Sequence, residues 1–598
     1  VGTAINPTNA ALTPGTGRSG QVLDELRAFV HRERDAAQAQ LMETWSQPLA
    51  DKLAKGLSQR LLRLEAGPDA GTVWAYPDRS DSRFREGDLL CLHLDSPFSS
   101  LFARAAAFES EEDGRWLLRL RQPVATVLQD AGHGSCYADP DDFDLTKYYE
   151  EVLDDIGETI PPSRANRTLL PLLNGQFSND FDPRDFEEAE RAALAEGLNA
   201  GQAEAVGKAL SAEQVACIQG PPGTGKTRVL ALAVRLLVER GERVLVTSHT
   251  HTAINNALNK IASLGVPAVK VGRQPQAAGL DAAVDTAESF ADWRTRPRRG
   301  GYVVGATPFA TCTQRLDKCE FDTVIFDEAS QVTVPLALMA MRRGERFIFI
   351  GDQKQLPPVL LSKSILEDTP GSIFARFIAR NADSVMLTET YRMNRELAAW
   401  PSAAFYGGKL KAAGPNRDRK LALPGAPAPG IFDRVLRDAA SVVFVPTLDR
   451  SARSRNLADA KYVAGLCAAA IAGGLAARDI GIVTPYRAHG RTVRKVLAGE
   501  IGWQDAKRIV ADTVERMQGQ ERELIVLSLA TGDLGFLGAI AAFFFQPERL
   551  NVSITRAMTK LVIIGPELPP DFSATHEELA RWVGLYRALV AQAARIEP

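Results

Sequence analysis

The chain has 598 residues, 24% of them charged and 45% hydrophobic. That is the balance of an ordinary globular protein, and the length is too great for one hydrophobic core, so three or four units of roughly 100–200 residues are expected. Lysine and arginine total 70 against 73 aspartate and glutamate, a formal net charge of -3, which excludes a global basic field as the means of holding nucleic acid and leaves that task to a local groove.

In chain order, residues 1–20 are rich in Gly, Thr, Pro, Ala and Asn and read as a flexible lead-in. The sequence opens at Val1 without a basic-then-apolar leader, so a processed or excised fragment is expected. No apolar run is long enough to span a bilayer, and no membrane partner is expected. The six cysteines form no CxxC pair, which points to buried thiols in a reducing cytoplasm rather than a zinc or iron–sulfur centre.

From Gln21 to about Gly56, residues Leu23, Leu26, Phe29 and Val30 recur at helical spacing among charges, which predicts a helical stalk of one long helix or two. Short β-like runs at 60–64, 72–76, 88–94 and 116–120, with turn residues between them, predict a small β-barrel. Residues 130–195 are acidic and read as irregular until a helical entry around 186–198. Stalk and barrel together make an accessory region over 21–195.

Beyond Leu198, strand-like apolar runs at 244–247, 302–304, 323–326 and 347–350 alternate with helical stretches, the βαβ rhythm of a parallel sheet covered on both faces. A second series has strands at 441–445, 480–483, 524–528 and 561–564, with a long Pro-, Gly- and Lys/Arg-containing loop over 409–435 between the two. The fold class is therefore α/β, two tandem domains with parallel sheets over 196–371 and 372–598.

The chemistry centres on Gly220-Pro-Pro-Gly-Thr-Gly-Lys-Thr227, which satisfies G-x-x-x-x-G-K-[ST] directly after the apolar run Val215–Ile218. Gly220, Gly223 and Gly225 let the backbone turn so that its N–H groups and the start of a helix cradle phosphates. Lys226 would reach the β and γ phosphates of ATP, and the Thr227 hydroxyl would sit on Mg2+. A glycine-rich turn without a ligand is the plainer alternative, and the strand-to-helix context favours the phosphate reading. Phe321–Phe326 then leads into Asp327 and Glu328, two acids at a strand end where open α/β sheets bind ligands. Asp327 would hold the Mg2+ shell and Glu328 would polarise the attacking water. Acids at strand ends also serve as helix caps, and it is the phosphate loop upstream that tips the reading. Gln355, after the strand 347–350, is a neutral group able to hydrogen-bond a γ phosphate or its water.

Gly-Asp-x-x-Gln-Leu-Pro-Pro at 351–358 after Asp327-Glu-Ala-Ser330, followed by Glu389-Thr-Tyr-Arg-Met393, Thr484-Pro-Tyr-Arg487, Thr513–Glu521 and Arg549–Ala557, resembles the superfamily 1 helicases over roughly 198–566. Within them the chain is similar to the Upf-like branch, subfamily 1B. The resemblance implies two RecA-like P-loop domains with ATP between them, a helical stalk and barrel ahead of the motor, and 5′-to-3′ movement. It also implies that Gln202 reads the adenine, Tyr391 stacks on it, Glu521 contacts the ribose, and Arg392 and Arg556 reach the γ phosphate from the second domain. The accessory insertion found in relatives is reduced here to about 275–300.

A nucleic-acid strand crossing both domains would meet Ser248, Thr250, Thr307, Pro308, Pro335, Pro485, Tyr486 and Thr513, groups that hold phosphates and stack on bases without reading sequence. The expected partner is single-stranded DNA or RNA, with room for a nuclease or other domain outside this chain. Three functions stay open at this point: an ATP-dependent helicase and translocase, an ATP-driven remodeller that strips proteins from nucleic acid, and an ATP-gated clamp.

Overall fold

A computed structural model of the chain describes residues 18–598 except 79–83, 85–86, 99–101, 133, 278, 363–370, 381, 427–429, 518 and 573–575. Most of the expected lead-in lies outside the described residues, and the helix Arg18–Ser46 already begins within it. That helix and Leu49–Lys55 form the stalk. Its start is anchored, because Val22, Leu23 and Leu26 are buried in the core on one face of the first α/β domain. Further along, the Trp45 indole N–H donates to the Pro140 carbonyl at 2.8 Å and so ties the stalk to the barrel.

The barrel consists of β1 (Gln59–Ala66), β2 (Thr72–Pro77), β3 (Leu89–His93), β4 (Ala103–Glu112), β5 (Arg115–Leu120) and β6 (Cys136–Pro140), closed in the order β1-β2-β5-β4-β3-β6. Alternation builds it: Trp116, Leu118 and Leu120 point inward with Val73, Ala75, Leu90 and Leu92. The irregular reading of 130–195 is overturned by the helices Thr146–Gly157, Arg164–Leu173 and Pro183–Ala195. The first two bury Val152, Ile156, Leu169 and Leu172 in the same core as the stalk base, so they pack onto the motor rather than onto the barrel.

The first α/β domain is an eight-stranded sheet. Its strands are β7 (Val215–Gln219), β8 (Arg243–Thr247), β9 (Ala268–Val271), β10 (Asp285–Ala287), β11 (Tyr302–Gly305), β12 (Thr323–Phe326), β13 (Arg346–Gly351) and β14 (Ser384–Met386), in the order β10-β9-β11-β8-β12-β13-β7-β14. Every pairing in it is parallel. The boundary expected at 371/372 moves accordingly: the helix Ile373–Ala379 and β14, paired with β7, still belong to this sheet. A short parallel pair, β15 (Glu389–Thr390) and β16 (Lys411–Ala412), leads into the second domain. That domain is a parallel six-stranded sheet of β17 (Val442–Pro446), β18 (Ile480–Thr484), β19 (Val510–Thr513), β20 (Arg522–Ser528), β21 (Ala557–Gly565) and β22 (Ala594–Arg595). Strands such as Ile480–Thr484 are buried throughout because helices cover both faces. No helix among the described residues is long and apolar enough to cross a membrane.

Candidate nucleotide site

β7 ends at Gln219, and the chain turns through the glycine-rich loop into the helix Lys226–Glu239. Gly223 and Gly225 sit at φ 73° and 83°, in the left-handed region. At Gly223 the approach is also close, since a Cβ there would come within 2.4 Å of the Arg392 Cβ. Gly220 does not offer its N–H to the cradle, because that group donates to the Gly351 carbonyl at 2.9 Å and ties the loop to β13. Lys226 folds back over the loop, its Nζ donating to the Gly220 carbonyl at 2.7 Å.

At the end of β12, Asp327 is buried, and burial beside the Glu328 charge, opposed by Lys226, raises its pKa to about 7. Glu328 takes φ 51°, a conformation a non-glycine residue holds only where its surroundings over-determine it. Its Oε2 is buried with no hydrogen-bond partner in the protein.

These residues face a cavity of about 640 Å3 between the two α/β domains. Gly223, Gly225, Lys226, Thr227, Asp327 and Glu328 line it from the first domain, and Tyr391, Arg392 and Glu521 line it from the other side. The donors fit a nucleoside triphosphate with a divalent cation: a glycine cradle and Lys226 for phosphates, the Thr227 hydroxyl and Asp327 carboxylate as hard oxygen ligands, and an unpartnered Glu328 oxygen for a water. Tyr391 is held in place, its hydroxyl accepting from Asn199 Nδ2 at 2.8 Å and donating to Glu389 Oε2 at 2.9 Å, and its carbonyl accepting from Asn416 Nδ2 at 2.7 Å.

Other expected site residues hold partners within the protein. Gln202 does not line the cavity: its Nε2 donates to the Thr224 carbonyl at 2.9 Å and its Oε1 accepts from Asn199 N at 3.2 Å, so the side chain closes a capping box and braces the phosphate loop. Glu521 is paired with Arg392, whose Nε donates to it at 2.6 Å. Gln355 and Arg556 lie beneath the cavity in a buried network that crosses the domain interface. Arg556 Nη2 donates to Gln355 Oε1 at 3.3 Å, Gln355 Nε2 donates to Asp352 Oδ2 at 2.9 Å, and the Tyr406 hydroxyl donates to that same oxygen at 2.7 Å. Asn551 Nδ2 completes it, donating to the Tyr406 hydroxyl at 2.8 Å and to the Lys354 carbonyl at 2.7 Å. Burial and the Arg392 charge push the Arg556 guanidinium down to about 9.

Of the expected nucleic-acid residues, Ser248, Pro308, Pro335 and Thr513 are buried. Thr250 faces the nucleotide cavity and caps the helix His251–Ala262, accepting from Ala253 N at 3.3 Å. Thr307, Pro485 and Tyr486 are half-buried, and Tyr486 is held by Thr531 at 2.8 Å and stacked on Phe543. Thr307, Pro485 and Tyr486 are thus partly open to solvent, and the buried four are not. Sequence reasoning missed Tyr406 and Asn551: the tyrosine that follows the helix Arg395–Phe405 belongs to no motif, and Asn551, though inside the stretch Arg549–Ala557, shows by spacing no partner for its amide. Tyr406→Phe deletes the hydroxyl that joins the domains and leaves a buried carboxylate short of a donor, so it should cost about 1–3 kcal/mol. Urea unfolding followed by circular dichroism checks this, and an unchanged midpoint removes the network from any structural role.

Fold and site together define a P-loop nucleotide-binding protein with its site between two α/β domains. Residues 197–419 match one family model described as an AAA domain, and residues 370–567 match a second. The chain is 30% identical over 400 residues to "DNA replication ATP-dependent helicase/nuclease DNA2" of Saccharomyces cerevisiae, spanning 62% of this chain and 26% of that one. It is 28% identical over 435 residues to "DNA polymerase alpha-associated DNA helicase A" of Schizosaccharomyces pombe, spanning 62% and 63%. The chain thus spans less than two thirds of the length of these curated relatives. Among solved structures it is similar to an arterivirus nonstructural protein 10 (helicase) at 14% identity and TM-score 0.39, over 90% of this chain and 82% of that one.

Proposed function

We propose that this chain is an ATP-dependent translocase and helicase on single-stranded nucleic acid, of the superfamily 1B kind. The observation that carries the reading is one cavity faced by Lys226, Asp327 and Glu328 from the first domain and by Arg392 from the second. Hydrolysis at such a place depends on how the two domains sit, which is what a motor needs and a static clamp does not. Lys226 would leave the Gly220 carbonyl for the β and γ phosphates, Glu328 Oε2 would take a proton from the attacking water, and Arg392 and Arg556 would meet the charge on the transferring oxygens. Mg2+, held by Thr227 and Asp327, would neutralise phosphate charge. The Asp352–Tyr406–Asn551 network would carry the change at Gln355 into the second domain.

The names of the relatives favour DNA, and one couples the helicase to a nuclease; a nuclease or other partner outside this chain and a cytoplasmic setting are part of the proposal. ATPase rates with no strand, with single-stranded DNA and with RNA of the same sequence test it: stimulation by DNA is expected, and strand-independent turnover would fit neither helicase nor stripping motor. A forked duplex separates those two, since unwinding is expected and displacement of a bound protein without unwinding would favour the stripping motor. Movement should run 5′ to 3′, so a duplex with a single-stranded 5′ tail is expected to unwind and one with a 3′ tail to stay intact; the reverse preference overturns the subfamily placement.

A further inference from the structure

β9 carries Ala268-Val-Lys-Val271, an apolar strand with one lysine. Val269 and Val271 face the core shared with the stalk base, so strand alternation turns Lys270 to the opposite face with Ala268. That face is covered by the helix His251–Ala262, whose Ile254 and Leu258 are buried there. Lys270 is 1% exposed and its Nζ has no hydrogen-bond partner. The His251 Nδ1, at the start of the covering helix, is buried and unpartnered as well.

An ammonium taken out of water without a partner is strongly disfavoured. Burial accordingly lowers the Lys270 pKa to about 7, and the nearby Lys270 and Arg315 charges add to burial in lowering that of His251 to about 4. Arg273 is the second basic residue at this place, Glu288 and Asp292 lie beside it, and among the described residues no carboxylate pairs with Lys270 at bonding distance. Lys270 lies at a cavity of about 310 Å3 at the carboxyl end of β9 and β10, with Gly272, Arg273, Thr286, Glu288 and Asp292 around it. Arg273, Glu288 and Asp292 are exposed, so they form its rim, and the lysine forms its floor.

We propose that Lys270 and Arg273 bind one phosphate group in this pocket, taken from the backbone of a nucleic-acid strand or as free inorganic phosphate. The carboxylates on the rim favour the phosphodiester, which carries a single negative charge where free phosphate carries nearly two at neutral pH. The pocket lies at the same carboxyl-terminal edge of the sheet as Thr307, which follows β11. The strand arm rests on the proposed function; the phosphate arm does not.

The test uses the full chain and Lys270→Met. Single-stranded DNA binding is followed by fluorescence anisotropy over a salt series, and thermal midpoints are taken in phosphate and in chloride at matched ionic strength. Each single-strand phosphate contact contributes about 0.7 to the slope of log K against log salt. The variant is therefore expected to lose about that much slope and about fivefold in affinity at low salt, as for one charge-assisted contact, with a midpoint equal to or above the parent's because an unpaired buried charge is gone. An unchanged slope with a phosphate-induced rise in midpoint seen in the parent and absent from the variant supports the free-phosphate form. Unchanged slope and unchanged phosphate response overturn the site. Arg273→Ala, at an exposed position, gives the same reading if the methionine variant does not fold. A parent chain that binds no strand would fail the proposed function instead, leaving the phosphate arm to decide this pocket.

Discussion

Lys226→Ala is expected to abolish ATP turnover, whereas Glu328→Gln is expected to keep ATP bound and slow its hydrolysis by about 10^2 to 10^4, the range for loss of a general base. The first substitution removes the charge that would meet the phosphates and the contact that shapes the loop, Nζ to the Gly220 carbonyl at 2.7 Å. The second is nearly isosteric, keeps the left-handed turn at φ 51°, and takes away only the ability of a buried, unpartnered oxygen to accept a proton. Nucleotide binding measured with a fluorescent ATP analogue separates the two, because Glu328→Gln should bind near the parental level and Lys226→Ala far more weakly. Parental turnover in Glu328→Gln would end the catalytic assignment of that residue.

Sequence alone makes legible the arrangements whose geometry one short segment decides. The phosphate loop is a strand, a glycine turn and a helix start, and Asp327 and Glu328 follow a strand that is buried from Thr323 to Phe326; such local arrangements are written in spacing and residue type. The barrel was legible in part, because β2 and β5 alternate, whereas β4, an alanine-rich strand, and β6, a five-residue strand, gave no strand-like run. Elements that exist through distant partners were not legible. β10 is Asp-Thr-Ala and forms against β9, and β14 closes the first sheet by pairing with a strand more than 160 residues earlier in the chain. The helices Thr146–Gly157 and Arg164–Leu173 did carry apolar faces, but their acidic surroundings hid short patterns that only packing onto the stalk base completes. The same division holds at the site. Gln202, Arg556 and Glu521 belong to recognisable stretches, but the protein partners of each side chain are set by tertiary neighbours: Gln202 braces the phosphate loop, and Glu521, at the cavity, pairs with Arg392.

Arg392 and Arg556 carry the other large expected effect. Both enter from beyond the first sheet, Arg392 on the segment after β15 and Arg556 just ahead of β21. Arg392 reaches the cavity while its Nε holds Glu521 at 2.6 Å and its Nη1 donates to the Thr555 carbonyl at 3.1 Å. Arg556 is buried, with Nε on the Val552 carbonyl at 2.9 Å and Nη2 on Gln355 at 3.3 Å. Burial first and the Arg392 charge second lower the Arg556 pKa, and a polyanion bound in the adjoining cavity would offset that cost. An arginine finger of this kind can be worth about 10^3 to 10^5 in rate, and its planar, permanently charged fork is not reproduced by lysine. Arg392→Ala and Arg392→Lys should therefore both cut nucleic-acid-stimulated turnover by orders of magnitude. Arg556→Ala should do the same with an added loss of stability, because it also breaks the bond to Gln355. The opposing possibility is that Arg392 serves only as the partner of Glu521. Glu521→Gln decides between them, since it breaks the ion pair and leaves the guanidinium in place: single-turnover hydrolysis of prebound ATP should survive in Glu521→Gln and collapse in Arg392→Ala, with circular dichroism confirming that both are folded. Equal losses in the two variants would reduce Arg392 to a structural ion pair, and parental rates in both arginine variants would leave an ATP cleft completed by the second domain without support.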